Sequence, residues 1–116
     1  MQITLPWPDR DLSPNARVHY KRRAEAVKDA RDLAYLETRL AREVSVIPPL
    51  HAAWFFYPPD NRKRDLDNML SMCKAYQDGI FQALGLDDSA VRTVSLRKCK
   101  PVKNGMVKVE ICQDEF

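Results

Sequence analysis

Hydrophobic residues recur along this chain with two alternating periods, one near two residues and one near three and a half. Residues 2–5 (Gln-Ile-Thr-Leu) alternate and predict a short strand, stopped by Pro6 and Pro8. Residues 9–20, with Asp9, Asp11, Ser13, Pro14 and Asn15, have the chemistry of a loop. From about Lys21 to Glu43 the positions Ala24, Val27, Ala30, Leu33, Ala34, Leu36, Leu40 and Ala41 fall three to four apart and predict a helix, closed by Pro48-Pro49. His51 to Tyr57 is a continuous, aromatic run, read as a largely buried strand that ends at Pro58-Pro59. A second helix is expected from about Asp67 to Leu84, with Gly85 as its C-terminal stop. Residues 91–99 and 106–112 read as two strands of a hairpin turning at Lys103-Asn104-Gly105, where Asn-Gly is the signal. The order β-α-β-α-β-β predicts a small α+β fold, a mixed sheet of about four strands with two main helices on one face. With no repeat, linker or low-complexity tract, residues 1–116 are expected to form a single domain.

Composition changes this picture little, but charge distribution does. A hydrophobic fraction of 45% and a charged fraction of 30% are ordinary for a globular domain, and the net charge of +3 is too small to argue for nucleic acid. Residues 91–109, however, hold Arg92, Arg97, Lys98, Lys100, Lys103 and Lys108 with no acid, and Lys21, Arg22 and Arg23 run together upstream. Such clusters raise local phosphate affinity. Cys73, Cys99 and Cys112 are odd in number and widely spaced, which supports neither a disulfide framework nor a zinc site. Cys73 falls in the apolar arc of the second helix and is expected as a buried free thiol. No stretch approaches the roughly 20 apolar residues of a membrane span. The start lacks the pattern of a signal peptide, so a reducing cytoplasm is the expected compartment.

The chemistry concentrates in Arg62-Lys63-Arg64-Asp65-Leu66-Asp67-Asn68, where three cations run into two carboxylates spaced i, i+2. Carboxylates that close repel, so a cation between them is the sharp reading and a solvated turn the plain one. Asp67 and Asn68 also suit an N-cap, but one helix needs one cap, and Asp65 is then surplus. On a wheel of about 100° per residue, Asp67, Ser71, Lys74, Asp78 and Gln82 share a stripe opposite the apolar arc. Lys74 can flank a phosphate with Asp67, or simply pair with Asp78 at i+4 for about 0.3–0.5 kcal/mol. A hard cation such as Mg²⁺ wants more than two carboxylates, and Leu86-Asp87-Asp88-Ser89 after the helix offers a third, with one of its two acids free to cap the turn.

Arg64-Asp65-Leu66-Asp67-Asn68, a helix carrying Lys74, and Leu86-Asp87-Asp88-Ser89 together resemble the RusA family of Holliday junction resolvases. The opening Ile3-Thr4-Leu5-Pro6-Trp7-Pro8, with Asn15 in the following loop, matches that family's N-terminal pattern, and the likeness runs from residue 3 to about residue 112. The resemblance implies a small homodimeric, Mg²⁺-dependent endonuclease, largely of phages and prophages, that nicks two strands of a four-way DNA junction symmetrically. Its catalytic, metal-binding carboxylates fall on Asp65, Asp67 and Asp88. The family's lysine position, four residues after the second Asp, holds Ser71 here, and the role passes to Lys74 within what looks like a three-residue insertion.

The function expected from this reading is metal-assisted phosphodiester hydrolysis in DNA recombination and repair, with Mg²⁺ (Mn²⁺ substituting) held by Asp65, Asp67 and Asp88. Lys74 would offset charge on the phosphate. Asn15, Lys21, Arg22, Arg23, Arg62, Lys63, Arg64, Arg97, Lys98 and Lys100 would contact DNA, positioning it without reading sequence. A structure-selective nuclease of other specificity and a non-catalytic junction-binding module are the rival readings.

Overall fold

The computed structural model describes residues 1–41 and 46–115. Strand β1 (Gln2–Pro6) leads through a one-turn 3₁₀ segment at Arg10–Leu12 into helix α1 (Tyr20–Ala41). Strand β2 (Leu50–Tyr57) is followed by helices α2 (Leu66–Met72) and α3 (Lys74–Leu84). A 3₁₀ turn at Asp88–Ala90, strand β3 (Val91–Lys98) and strand β4 (Met106–Gln113) complete the chain. The four strands form one sheet in the order β1-β4-β2-β3, antiparallel except for the parallel β2–β3 pair. The expected α+β class with a mixed four-stranded sheet is what is seen.

The alternation along each strand decides which face is covered. Ile3 and Leu5 of β1, Trp54 and Phe56 of β2, and Val107, Val109 and Ile111 of β4 are all buried and meet Met69, Cys73, Ile80 and Phe81 from the helices. Those large apolar side chains, each stabilising by about 1.5–3 kcal/mol when buried, supply the main driving force. Helix α1 packs across α3 through small residues. Ala34 and Thr38 are fully buried there, and a Cβ on Gly79 of α3 would collide with the Arg31 carbonyl. Gly79 therefore permits a close crossing of the two helices.

Three expectations are corrected. The hairpin between residues 91–99 and 106–112 does not form, because β2 lies between those strands. Strand β4, with Val107, Val109 and Ile111 buried, takes a central place, while β3, with Arg92, Thr93, Ser95, Arg97 and Lys98 exposed, suits an edge. The Asn104-Gly105 turn does occur, with φ of 67° and 70°, but it redirects a crossing loop anchored by Cys99 N–H to the Phe56 carbonyl and Val102 N–H to the Pro58 carbonyl. Second, the helix expected over 67–84 is two helices, broken at Cys73 (φ −97°, ψ 10°), whose N–H bonds the Leu70 carbonyl three residues back. The Gly85 stop is as expected, in the left-handed region at φ 70°. Third, the spaced apolar positions that predict α1 do not all turn inward: Ala24, Leu36 and Leu40 are exposed, and the buried line is Ala30, Ala34 and Thr38. The expected end of that helix at Glu43 lies outside the described residues.

Candidate active site

The site begins where β2 ends. Pro58-Pro59 terminate the strand, and Asp60 organises the turn by accepting the Arg62 N–H at 2.9 Å and the Arg64 guanidinium at 2.9 Å. Arg64 also donates to the Asp60 and Arg62 carbonyls at 3.2 and 3.3 Å and lies 5.5 Å over the Trp7 ring. These bonds, from Arg64 first and the Arg62 N–H next, hold the Asp60 carboxyl below its ordinary range. Arg64, expected as a phosphate contact, folds back onto its own loop in this structure.

Asp65 follows at the N-cap of α2, in extended conformation, and its side chain makes no capping bond. Asp67 sits in the first turn, exposed. Among the described residues neither carboxylate has a hydrogen bond or ion pair with a protein side chain, although both stand where a cap would be cheap to make. Ser71, which the resemblance sets at a lysine position, donates to the Asp67 carbonyl at 3.0 Å.

Lys74 opens α3 beyond the break at Cys73, so the wheel that set it above Asp67 does not carry across. Its ammonium donates to Asp78 at 2.8 Å and Asp88 at 3.5 Å. The Asp78 bond, with Asp88 behind it, raises the Lys74 pKa and keeps it a cation. In the following turn the two acids divide their work: Asp87 caps the 3₁₀ segment, accepting the Ser89 N–H at 3.4 Å, while Asp88 turns to Lys74. Asp88 and Lys74 are therefore brought together, as are Asp65 and the basic loop. Among the described residues no three His, Cys, Asp or Glu side chains converge as a ready-made metal cage.

The expected phosphate contacts also divide. Arg22 pairs with Asp11 at 3.0 Å, and Arg23 donates to the Ser13 and Ala16 carbonyls at 3.3 and 3.0 Å, so both brace the loop before α1. Lys98 reaches the Arg64 carbonyl at 3.5 Å, and Arg62 approaches Asp60 at 3.6 Å with its side chain 83% exposed. Lys21, Lys63, Arg97 and Lys100 are exposed and have no ion pair among the described residues. Asn15, Arg62, Lys63, Arg64 and Asp65 line one open cleft. Trp7, Arg10, Asp60 and Met72 line it too, and of these four only Trp7 stands in a motif named above. Only a tryptophan held between two prolines marked Trp7 in advance. Cys73 is a buried free thiol as expected, its pKa pushed up to about 12 by burial. No described helix is long and apolar enough to cross a membrane.

No protein-family model matches the chain. It is similar to the crossover junction endodeoxyribonuclease RusA of Escherichia coli (strain K12), 29% identical over 116 residues that cover 96% of this chain and 92% of that protein. The crossover junction endodeoxyribonuclease of Enterobacteria phage 82 matches at the same identity and coverage. An uncharacterized protein of Xylella fastidiosa is 50% identical over 90 residues, 74% of this chain, and the chain spans 59% of that relative's length.

Proposed function

We propose that this protein is a RusA-like endonuclease that hydrolyses phosphodiesters in four-way junction DNA with the help of Mg²⁺, acting as a homodimer. The observation that carries the reading is the similarity to crossover junction endodeoxyribonucleases over nearly the whole chain. Asp65, exposed in a basic-rimmed cleft, and Asp67, exposed two residues on, support it, each with a carboxylate that has no partner among the described residues. Their donors fit the group: Mg²⁺ is bound through one or two carboxylates, several waters and substrate phosphate oxygens.

In this reading Asp65 and Asp67 would hold the cation, and Asp88, paired with Lys74 in this structure, would join them as a third oxygen donor once that pair opens. When bound, Mg²⁺ supplies acidification of a water and neutralisation of phosphate charge. The remaining steps belong to the chain. Lys63, Arg62 and the unpaired cations Arg97 and Lys100 draw the backbone into the cleft, a sequence-independent and salt-sensitive contact. Lys74, held by Asp78, would turn from Asp88 to the phosphate as substrate binds and offset the negative charge that builds there. That exchange frees the Asp88 carboxylate. Two copies related by a two-fold axis would present two such sites to a junction of matching symmetry, which paired nicks require.

Cleavage of a labelled four-way junction beside a flap and a linear duplex tests the proposal. Preferential paired nicking of the junction is expected with Mg²⁺. Equal cutting of all three substrates would make this a nuclease of broader specificity. Binding without cleavage in either Mg²⁺ or Mn²⁺ would make it a binding module.

A further inference from the structure

Beside Asp65 the surface opens into a cleft of about 940 Å³. A groove serving phosphates alone needs cations and hydroxyls, because the sugar–phosphate backbone offers little to an apolar surface. This one combines Trp7 and Met72 with Asn15 and Asn68, and Lys63 lines it too. Flat aromatic surface, polarisable thioethers and paired donor–acceptor amides are what a nucleobase asks for.

The aromatic wall is fixed in place before any ligand arrives. Pro6 and Pro8 flank Trp7, and the Tyr76 hydroxyl donates to the Pro6 carbonyl at 2.9 Å. The turn at Gly105 packs so closely that a Cβ there would lie 2.8 Å from the Trp7 Cβ and 3.1 Å from Pro59. Arg64, itself locked onto Asp60, covers the ring. Trp7 packs one side against the core and keeps a partly exposed side that lines the cleft, a fixed aromatic surface open to a ligand.

We infer that this cleft receives one unstacked nucleobase of the strand to be cut, stacked on the Trp7–Arg64 wall and hydrogen-bonded by Asn15 and Asn68. The inference rests on the reading that the protein handles branched DNA, where bases next to the crossover are the least costly to unstack. It assigns Trp7 to substrate binding and Asn68 to base preference, roles separate from the carboxylates at the mouth of the cleft.

The test uses the intact protein in EDTA, with fluorescence anisotropy on four-way junctions in which single nucleotides near the crossover are made abasic one at a time. One or two positions are expected to weaken binding by about tenfold. Trp7→Leu should bind the intact junction about tenfold more weakly and lose that position dependence, with its salt dependence unchanged. Trp7→Phe, which keeps a stacking ring, should behave nearly as wild type. If Trp7→Leu fails to fold by circular dichroism, the abasic scan of wild type and Asn68→Ala decides, the latter expected to change which base is preferred. A flat scan, or undiminished position dependence in Trp7→Leu, overturns the inference. Cleavage with Mg²⁺ is scored separately: a flat scan with cleavage removes the base pocket alone, and position dependence without cleavage removes the nuclease reading alone.

Discussion

Asp60 and Asp65 lie five residues apart and have opposite circumstances. Asp60 is saturated by Arg64 and Arg62, whereas the carboxylates of Asp65 and, two residues on, Asp67 have no partner among the described residues. That contrast makes Asp60 a structural group and leaves Asp65 and Asp67 available for a ligand. Asp67→Asn is expected to keep its fold and its junction affinity, since losing an anion does not weaken a phosphate contact. Its Mg²⁺-dependent cleavage should fall by roughly 100-fold or more, read from initial rates on a labelled junction. The Asp60 clamp carries a pH signature. Because the folded carboxyl titrates below its ordinary value, its stabilisation is complete above the unfolded pKa, about 4, and is lost as pH falls through the lower folded one. Urea melts should therefore show Asp60→Asn less stable than wild type at pH 7 and the gap narrowing towards pH 3; an unchanged gap would mean that the clamp does not stabilise the loop. At this scale the sequence exposed Asp65 and Asp67 because two carboxylates at i, i+2 beside three cations are unusual. It concealed Asp60 and Arg64, because nothing in the order of residues tells which of three neighbouring cations folds back onto its own turn.

Elements were legible wherever the period was clean. β1, β2, the Gly85 stop and both C-terminal strands lie within a residue or so of their expected bounds. The break at Cys73 was not visible, since every apolar residue on either side suits one continuous helix; the tightened bond to Leu70 is a packing outcome with no signal of its own. Nor was the strand order, because an Asn-Gly turn reports a reversal of the chain and not which strand lies alongside. The close crossing of α1 and α3 yields a prediction at this level. Gly79→Ala must push the added methyl against the Arg31 backbone, which should cost about 1–3 kcal/mol as overpacking, measured as a lowered urea midpoint with unchanged slope. Full stability in that variant would show that the helices separate freely, and the small-residue seam of Ala30, Ala34 and Thr38 would lose its meaning.

Over the whole molecule, a one-sided sheet leaves α2 and its flanking loops at one end, with Trp7 from the N-terminal segment and the Asn104-Gly105 turn closing against them. The cleft is thus assembled from segments far apart in the chain, which is why its apolar wall could not be foreseen while its charged rim could. Binding of Mg²⁺ to the folded state alone should raise the thermal midpoint in proportion to the logarithm of its concentration, and this rise should vanish in an Asp65→Asn, Asp67→Asn double variant. The proposed homodimer predicts a sedimenting mass of twice 13.4 kDa, and a monomer at micromolar concentration would remove the two-site explanation of paired nicks. Gel analysis of a synthetic four-way junction, incubated with wild type or Asp67→Asn in Mg²⁺ beside flap and duplex controls, bears on the central claim most directly. The account predicts symmetric nicks in the junction by wild type alone; intact junction under wild type, or equal cutting by Asp67→Asn, would contradict it.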